Sequence, residues 1–190
     1  MMKQIKPALI VLLLFTLITG IIYPLLVTGL AQAIFPHQAN GSVIVNNGKI
    51  VGSERIGQQF DEPKYFWGRL SATSGSPYNA MASGGSNYSV LNPSLTDQVN
   101  TRLADLKAAD PTNTLAVPVD LVTSSGSGLD PDISVAAAEY QAARVAKVRG
   151  ISIEEITNLV QKYTRGRVFG FLGEKTVNVL ELNLALDKLQ

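Results

Sequence analysis

The sequence contains a run of 23 residues, from Ala8 to Leu30, that carries no charged side chain. Fifteen of these residues are Leu, Ile, Val or Phe. At about 1.5 Å of rise per residue, a helix of this length reaches roughly 34 Å, whereas the hydrocarbon core of a bilayer is about 30 Å thick. The apolar side chains together favour membrane insertion by about 4.5–9 kcal/mol. The run therefore predicts one transmembrane helix.

The lysines around this run predict its orientation. Lys3 and Lys6 precede it, and the next Lys or Arg is Lys49. Because basic residues next to a membrane helix stay on the cytoplasmic side, we expect the N-terminus in the cytoplasm and the chain after Leu30 outside it. The sequence is thus predicted to divide into an N-terminal membrane anchor, residues 1–34, and an extracytoplasmic domain, residues 35–190.

A cleaved signal peptide is the alternative to a retained anchor. Ala31-Gln32-Ala33 has the Ala-x-Ala form of a cleavage site, and cleavage after Ala33 would release a secreted binding domain. The apolar run is longer than the roughly 7–15 residues of a usual signal-peptide core, so its length favours retention.

Small or helix-kinking residues recur every four positions within the apolar run, at Thr16, Gly20, Pro24 and Thr28. In lipid, such a stripe lets a second helix approach closely, which would make these four residues a face for a membrane partner. Gly and Pro are also common in membrane helices for other reasons, so the spacing is equally compatible with chance.

The composition narrows the chemistry of the rest of the chain. It has no cysteine and one histidine, which excludes disulfide scaffolds and thiol nucleophiles and disfavours zinc sites. The net charge of +1 lacks the basic excess of nucleic-acid-binding proteins. The sequence also contains no Walker A, His-Glu-x-x-His, Gly-x-Ser-x-Gly or Gly-x-Gly-x-x-Gly motif. We therefore expect no catalytic residues, no metal site and no intrinsic cofactor.

Turn signals and periodicity predict an α+β fold for the outer domain. Asn46-Asn47-Gly48, between two β-branched runs, predicts a hairpin. Capping residues and helical spacing predict helices at about 92–109, 134–149, 152–166 and 181–189. We expect an extended segment at 115–122 and short strands at 168–172 and 176–179. A hairpin followed by helices is typical of the α+β class.

No charged residue occurs between Leu70 and Thr96, a run of 27 residues. Within it and just before it, the stretch from Phe66 to Asn92 is rich in Ser, Gly, Asn and aromatic residues, which predicts a long ordered loop. Interface cores are poor in charge and rich in aromatic residues, so this stretch is a candidate partner-facing surface. The alternative is that its aromatic side chains pack the domain's own core.

Hydroxyl groups and glycines also cluster at residues 122–130, here called the Ser/Gly loop. Such a loop can present backbone N–H groups and Ser hydroxyls to an anion, although a plain connection into the next helix explains the same residues. The cations Arg144, Lys147 and Arg149, with Arg165 and Arg167 later in the chain, could meet an acidic partner or simply be solvated.

Taken together, several segments resemble one known family along nearly the whole chain. In order, these are Gly20-x-x-Tyr23-Pro24-Leu25, Gln38-Ala39-Asn40-Gly41-Ser42, Ile56-Gly57-Gln58-x-Phe60, Phe66-Trp67-Gly68-Arg69-Leu70-Ser71-Ala72, Ala82-Ser83-Gly84-Gly85-Ser86-Asn87, the Ser/Gly loop, and Val177-Asn178-Val179-Leu180-x-Leu182-Asn183-Leu184-Ala185-Leu186-Asp187. The sequence resembles the KdpC family, the small C subunits of the bacterial Kdp potassium-transporting P-type ATPase. Leu70, Ala80 and Lys175 stand where prolines are expected, which leaves those turns less rigid.

The resemblance implies a non-catalytic, single-pass subunit of the bacterial inner membrane, in a complex with KdpA, KdpB and KdpF. It also implies a catalytic chaperone that raises the affinity of KdpB for ATP. By the same resemblance, Ser124, Ser125, Gly126, Ser127, Gly128 and Gln141 are the candidate nucleotide-binding residues, and ATP is the implied ligand.

The predicted orientation conflicts with direct contact to cytoplasmic ATP. An extracytoplasmic cap or assembly element on KdpA is therefore the rival hypothesis. An indirect version reconciles the two, because an outer domain can stabilise a state of the complex that binds ATP better.

Overall fold

The structure is a computed structural model that describes residues 2–189. The described residues fall into two compact units, one ending at Val51 and the other beginning at Gly52. The predicted boundary between anchor and outer domain, after residue 34, concerns the membrane and stays a prediction.

The N-terminal unit is dominated by one long apolar helix. It comprises α1 (Met2–Leu17), a π-helical turn (Ile18–Ile22) and α2 (Tyr23–Ile34). Residues Lys3–Ile34 form a helix of 32 residues that contains an 18-residue window of mean hydropathy 2.6, so it is long and apolar enough to cross a membrane. This agrees with the predicted single membrane-spanning helix.

The π-helical turn has a local cause in Pro24. A proline has no N–H to donate, and its ring clashes with the carbonyl four residues earlier. Here the N–H of Tyr23 donates to the Ile18 carbonyl five residues back, which widens the helix just before the proline. The hydroxyl of Thr19 donates to the Phe15 carbonyl at 2.7 Å.

A short helix and a β-hairpin follow. The helix α3 is Pro36–Ala39, and the hairpin pairs β1 (Val43–Asn46) with β2 (Lys49–Ser53). Asn47 and Gly48 between the strands have φ of 50° and 75°. Positive φ at both central residues is what a type I′ turn requires, so the hairpin predicted from Asn-Gly is confirmed.

Among its described residues, the second unit contains one 3₁₀ turn, Ala80–Ala82, and five α-helices. The α-helices are α4 (Pro93–Ala109), α5 (Val119–Val122), α6 (Val135–Arg149), α7 (Ile153–Lys162) and α8 (Val179–Leu186). Side-chain caps begin four of them: Asn92, Ser134, Ser152 and Asn178 each accept a backbone N–H of the first turn. The four longer predicted helices are thus confirmed, although α8 begins two residues early.

A small antiparallel sheet completes this unit. Its strands are β3 (Asp132–Ser134), β4 (Thr164–Arg165) and β5 (Thr176–Asn178), and β5 lies between the other two. Ile133 pairs with Val177, and both side chains are buried beneath the helices. The mixture of helices with an antiparallel sheet confirms the α+β class.

Two local predictions were wrong. Residues 119–122 form a helical turn rather than extended chain, because Pro118 begins the turn and the N–H of Leu121 bonds to its carbonyl. Residues 168–172 form a tight turn rather than a strand. The backbones of Val168 and Leu172 bond to each other, and Gly170 has a φ of 82°.

The core of the second unit lies between α4, α6, α7, α8 and the sheet. Its fully buried members include Leu106, Leu121, Ile133, Val145, Ile156, Val160, Val177, Leu182 and Leu186. Phe66, which belongs to none of these helices or strands, is buried among them. The chain from residue 54 to residue 92 therefore packs against the core although its described part has little regular structure.

Candidate functional site

The stretch from Phe66 to Asn92, here called the central loop, is fixed to the core at its first two residues. Phe66 is 0% and Trp67 6% exposed. The aromatic start of the central loop thus packs the domain's own core. Only its later residues can face a partner.

Two buried side-chain amides hold these first two residues in place. The amide oxygen of Asn183 accepts the N–H of Phe66 at 2.9 Å, and its nitrogen donates to the Phe66 carbonyl at 3.0 Å. Gln141 does the same for Trp67, at 2.8 and 3.1 Å. Each amide therefore pairs with one backbone residue as a neighbouring strand would.

The predicted nucleotide residue Gln141 has a full set of hydrogen bonds. Besides its two bonds to Trp67, its nitrogen donates to the Ala137 carbonyl at 3.1 Å, and its oxygen accepts from Arg144 at 2.8 Å. The side chain is 1% exposed. An amide has two donors and two acceptor sites, so Gln141 is saturated within the fold.

Two buried arginines flank the ring of Trp67, each with its guanidinium carbon 4.8 Å from the ring centroid. Arg102 donates to the carbonyls of Leu121 and Gly68, both at 3.1 Å. Arg144 donates to the Pro63 carbonyl as well as to Gln141. Burial lowers the pKa of both guanidinium groups, that of Arg144 to about 10, so both remain charged at neutral pH.

The arginines proposed as a basic surface are largely committed to the fold. Arg144 is 3% exposed, and the side chain of Arg149 is 1% exposed where it pairs with Asp187 at 2.7 Å. Arg165 pairs with Glu181 and Arg167 with Glu174, both at 2.7 Å. Arg144 and Arg149 are therefore neither solvated cations nor a docking face for an acidic partner, and both alternatives were wrong for these two residues. Helical spacing alone did not show that these two side chains point inward.

The Ser/Gly loop is held against the central loop by hydrogen bonds. The N–H of Ser125 donates to the Leu70 carbonyl at 3.3 Å, and the hydroxyl of Ser71 donates to the Gly128 carbonyl at 2.7 Å. The Ser127 carbonyl accepts from the N–H of Gly84 at 2.9 Å and from the hydroxyl of Ser83 at 3.0 Å. The two loops therefore form one connected surface.

The hydroxyls predicted to bind nucleotide are used inside this arrangement. Ser124 donates to the Ser86 hydroxyl at 3.1 Å, Ser125 accepts the Gly128 N–H at 2.9 Å, and Ser127 accepts the Leu129 N–H at 3.1 Å. Arg69, the cation that reaches this loop, pairs with Asp130 at 3.1 Å. Of the five predicted loop residues, only Gly126 and Ser127 are exposed.

Gly128 shows why the loops fit so closely. Its φ is +68°, and a Cβ atom there would lie 2.6 Å from the Gly84 carbonyl oxygen. No other residue type fits this contact without moving the backbone. Glycine in this loop thus serves close packing of two segments, which is a different use from the cradle for an anion that the sequence suggested.

Gln141 is not joined to the loop in the described part of the chain. Its hydrogen bonds go to Trp67, Ala137 and Arg144, and none goes to residues 124–128. The structure therefore does not assemble the six predicted nucleotide residues into one hydrogen-bonded set.

The second half of the central loop exposes large apolar side chains. Met81 is 97%, Val90 86%, Leu91 89% and Tyr88 42% exposed. We call these four residues the apolar segment. They lie inside the 27-residue run without charge, where apolar exposure is costly unless something covers it. The sequence indicated this stretch, but it did not separate the buried residues from the exposed ones.

The small-residue stripe is exposed, as is the rest of the helix from Lys3 to Leu30. Thr16, Gly20, Pro24 and Thr28 are all exposed, and a Cβ atom on Gly20 would meet nothing within 4 Å. The N-terminal unit itself therefore does not require a small residue at position 20. The proposed contact with another membrane helix stays a prediction.

Comparison with known proteins identifies similar chains. The family model described as "KdpC: K+-transporting ATPase, c chain" matches residues 5–188. A protein of Methylococcus capsulatus called "Potassium-transporting ATPase KdpC subunit" is 60% identical over 190 residues, all of both chains. Proteins of the same name from Herpetosiphon aurantiacus and Variovorax paradoxus are 58% and 59% identical. They cover 97% and 98% of this chain, and it covers 96% and 97% of theirs.

Proposed function

The chain belongs to the KdpC family of potassium-transporting ATPase subunits, and from this premise we propose that it acts as a non-catalytic accessory subunit whose outer domain influences ATP binding indirectly. It is a membrane-associated subunit of a potassium pump and has partner subunits. KdpA, KdpB and KdpF are the partners proposed for it. In this proposal, KdpB binds and hydrolyses ATP.

The observation that carries the indirect role is the saturation of Gln141, together with the engagement of the Ser124, Ser125 and Ser127 hydroxyls in hydrogen bonds within the domain. A nucleotide that bound Gln141 would have to break bonds to the Trp67 backbone and to Arg144. Leaving buried polar groups unpaired costs about 1–3 kcal/mol each, which offsets the free energy gained from a few new hydrogen bonds to the nucleotide. Of the six candidate nucleotide-binding residues, only Gly126 and Ser127 are exposed and thus accessible for direct contact with a nucleotide.

The lysines before the apolar helix support an extracytoplasmic position of the outer domain. Lys3 and Lys6 at the start of the helix favour a cytoplasmic N-terminus. The described helix also continues through Ala31–Ala33 to Ile34, so the Ala-x-Ala site is not in extended chain. The continued helix and the length of the apolar run favour a retained anchor over a secreted domain, whereas lysines precede both kinds of segment.

The role as an outer cap on KdpA is the second candidate, and the apolar segment favours it. Met81, Val90 and Leu91 are exposed on a stretch without charge, as expected for a surface that a partner covers. The two roles are compatible, because a domain that docks on one subunit can shift the equilibrium of the whole complex.

The side of the membrane on which the outer domain lies can be tested with single introduced cysteines, because the chain has no cysteine of its own. Leu115→Cys lies on an exposed part of the outer domain, and Gln4→Cys lies at the start of the N-terminal helix. We expect a membrane-impermeant maleimide to label Leu115→Cys on intact spheroplasts and Gln4→Cys only after permeabilisation. The reverse pattern would place the outer domain in the cytoplasm and overturn this proposal.

The indirect role can be tested in the purified complex with Ser127→Ala and the matched variant Ser89→Ala. Both hydroxyls accept a backbone N–H two residues ahead, so both variants lose the same kind of bond. We expect the KM for ATP to be the same in both variants and to rise when the whole subunit is omitted. A rise of about tenfold or more for Ser127→Ala alone would show direct contact, since tenfold corresponds to 1.4 kcal/mol.

A further inference from the structure

The chain contains two Asn-Gly pairs, Asn40-Gly41 and Asn47-Gly48. An asparagine that is followed by glycine is prone to deamidation, because glycine has no side chain to keep its backbone nitrogen away from the asparagine side chain. Whether the reaction occurs depends on two groups, the side-chain amide that is attacked and the backbone nitrogen that attacks it. The structure holds these two groups differently in the two pairs.

Both reacting groups of the first pair form hydrogen bonds. The side-chain nitrogen of Asn40 donates to the Pro36 carbonyl at 2.7 Å and to the side-chain oxygen of Gln32 at 3.2 Å. The side-chain oxygen of Asn40 accepts from the Gln32 amide at 3.3 Å. The backbone N–H of Gly41 donates to the Gln38 carbonyl at 3.0 Å. Reaction within this pair therefore requires that these bonds break first.

The second pair lacks these restraints. Asn47 and Gly48 are exposed at the end of the β1–β2 hairpin. Among the described residues, none forms a hydrogen bond with the Asn47 side chain or accepts the Gly48 N–H. The two-residue turn explains this difference, because its central residues lie outside the ladder of strand hydrogen bonds and their polar groups face water.

We propose that Asn47 is a site of spontaneous deamidation in the folded protein and that Asn40 is protected from it. The nitrogen of Gly48 attacks the side-chain carbonyl carbon of Asn47 and forms a new C–N bond. The bond from that carbon to the side-chain nitrogen breaks, and ammonia leaves with the proton of the Gly48 N–H. Water then opens the resulting succinimide ring at either carbonyl, which gives aspartate or isoaspartate without an enzyme or a cofactor.

The two products change the hairpin in different ways. Both add one negative charge beside Lys49. Aspartate tolerates a positive φ, so it keeps the turn. Isoaspartate routes the backbone through the former side chain and lengthens it by one carbon atom, which a two-residue type I′ turn does not accommodate. Because the hairpin connects the apolar helix to the second unit along the chain, the reaction alters this connection as the protein ages.

Peptide mapping of the aged full chain tests the proposal. The folded chain is incubated in detergent at mildly alkaline pH in heavy-oxygen water, then digested and analysed by mass spectrometry. Heavy oxygen in the new carboxyl group distinguishes conversion during the incubation from conversion before it. Two synthetic peptides, residues 36–45 and 43–52, give the rates without the fold. We expect Asn47 to convert at least about tenfold faster than Asn40 in the folded chain, and the two peptides to convert at similar rates.

Three results would overturn the proposal. Equal rates at the two positions in the folded chain would show that the hydrogen bonds of Asn40 give no protection. Faster conversion of Asn40 than of Asn47 would reverse the assignment. Conversion at neither position, while both peptides react, would show that the turn protects Asn47 as well.

Two matched variants test why Asn40 is protected. Gln32→Ala removes a side-chain partner of Asn40, whereas Gln38→Ala keeps the backbone carbonyl that accepts the Gly41 N–H. We expect Gln32→Ala to raise the rate at Asn40 several-fold and to leave the rate at Asn47 unchanged. Gln38→Ala should change neither rate. An unchanged rate at Asn40 in Gln32→Ala would contradict protection by side-chain hydrogen bonds.

Amide hydrogen exchange of residues 43–53 tests the effect on the hairpin. The variant Asn47→Asp carries the charge of the products on an ordinary backbone, so its exchange should match that of the parent. Peptides with isoaspartate elute separately from those with aspartate, and they should show exchange several-fold faster than the parent. Equal exchange in all three forms would contradict the loosening of the hairpin.

Discussion

At the scale of single residues, the buried amides of Gln141 and Asn183 connect the central loop to two helices. Each one replaces the hydrogen bonds that a neighbouring strand would give to Trp67 or Phe66. Because the two bonded residues are consecutive, the loss of either amide releases the same short segment from the core.

We expect Gln141→Ala to destabilise the outer domain by about 2–5 kcal/mol, because it leaves the N–H and carbonyl of Trp67 without partners and removes one of the two acceptors of the Arg144 guanidinium. Urea unfolding of the full chain in detergent, followed by the fluorescence of Trp67, measures this change. The matched variant Gln161→Ala removes an exposed glutamine and should change the free energy by less than about 0.5 kcal/mol. Similar values for the two variants would show that the amide is not structural.

The partly buried phenol of Tyr78 makes the free energy of unfolding depend on pH in the alkaline range. Burial raises the pKa of its phenol to about 12, and the hydroxyl donates to the Arg69 carbonyl at 2.6 Å. The unfolded chain releases this proton near the ordinary value of about 10. The stabilisation from Tyr78 is therefore complete below about pH 10 and is lost as the pH rises towards 12.

We expect Tyr78→Phe to lower the free energy of unfolding by about 0.5–1.5 kcal/mol at neutral pH, because it loses one hydrogen bond. Between about pH 10 and about pH 12, the variant should lose less stability than the parent, because phenylalanine does not ionise. Urea unfolding at several pH values measures both effects. Tyr88→Phe, at an exposed position, should keep the parent's alkaline slope.

At the scale of elements, the four longer helices, the β1–β2 hairpin and β5 could be predicted, whereas α5, β3 and β4 could not. Asn92-Pro93 and Ser152-Ile153-Glu154-Glu155 are local signals, and the helices begin where they indicate. The strands β3 and β4 are three and two residues long, too short to show a period of two. The run Val168–Leu172 contains the apolar residues of a strand, but Gly170 and the positive φ of Phe169 turn it back on itself.

The site was predictable only where its signal was local. The charge-free run indicated the stretch that contains the apolar segment, but not which of its residues are exposed. The hydrogen bond between Gln141 and Trp67 joins residues that lie 74 positions apart, and no local sequence pattern predicts such a contact. The family resemblance identified the candidate residues, but it did not show whether their polar atoms already form hydrogen bonds within the fold.

The stripe on the N-terminal helix gives a prediction at the same scale. If another membrane helix approaches at Gly20, then Gly20→Leu should block it, while Leu13→Ile changes little because it keeps the side-chain volume. We expect the fraction of chain that co-purifies with the complex after detergent extraction to fall several-fold for Gly20→Leu only. Equal co-purification of the two variants would argue that the stripe has no partner.

At the scale of the whole molecule, the apolar segment is the surface that we propose for docking of the outer domain in its complex. We expect Met81→Glu and Leu91→Lys to leave the free energy of unfolding within about 0.5 kcal/mol of the parent, because both side chains are almost fully exposed. Both should nevertheless impair assembly or potassium uptake, since a charge in an interface core is costly.

Leu115→Glu, at an exposed apolar position outside the segment, is the control for these two variants. It should assemble and transport like the parent. Normal assembly and transport by Met81→Glu and Leu91→Lys as well would show that the apolar segment is solvated in the complex.

The amide of Asn183 also sets an order of events during synthesis. Phe66 leaves the ribosome 117 residues before the side chain that fixes it. At about 5–20 residues per second, this interval lasts roughly 6–23 s, during which the apolar helix is already available to the membrane. If the apolar helix has a partner helix, the two can therefore associate first, while the central loop acquires its final shape only once α8 has been made. We accordingly expect assembly of the subunit to begin at the apolar helix and to finish at the central loop.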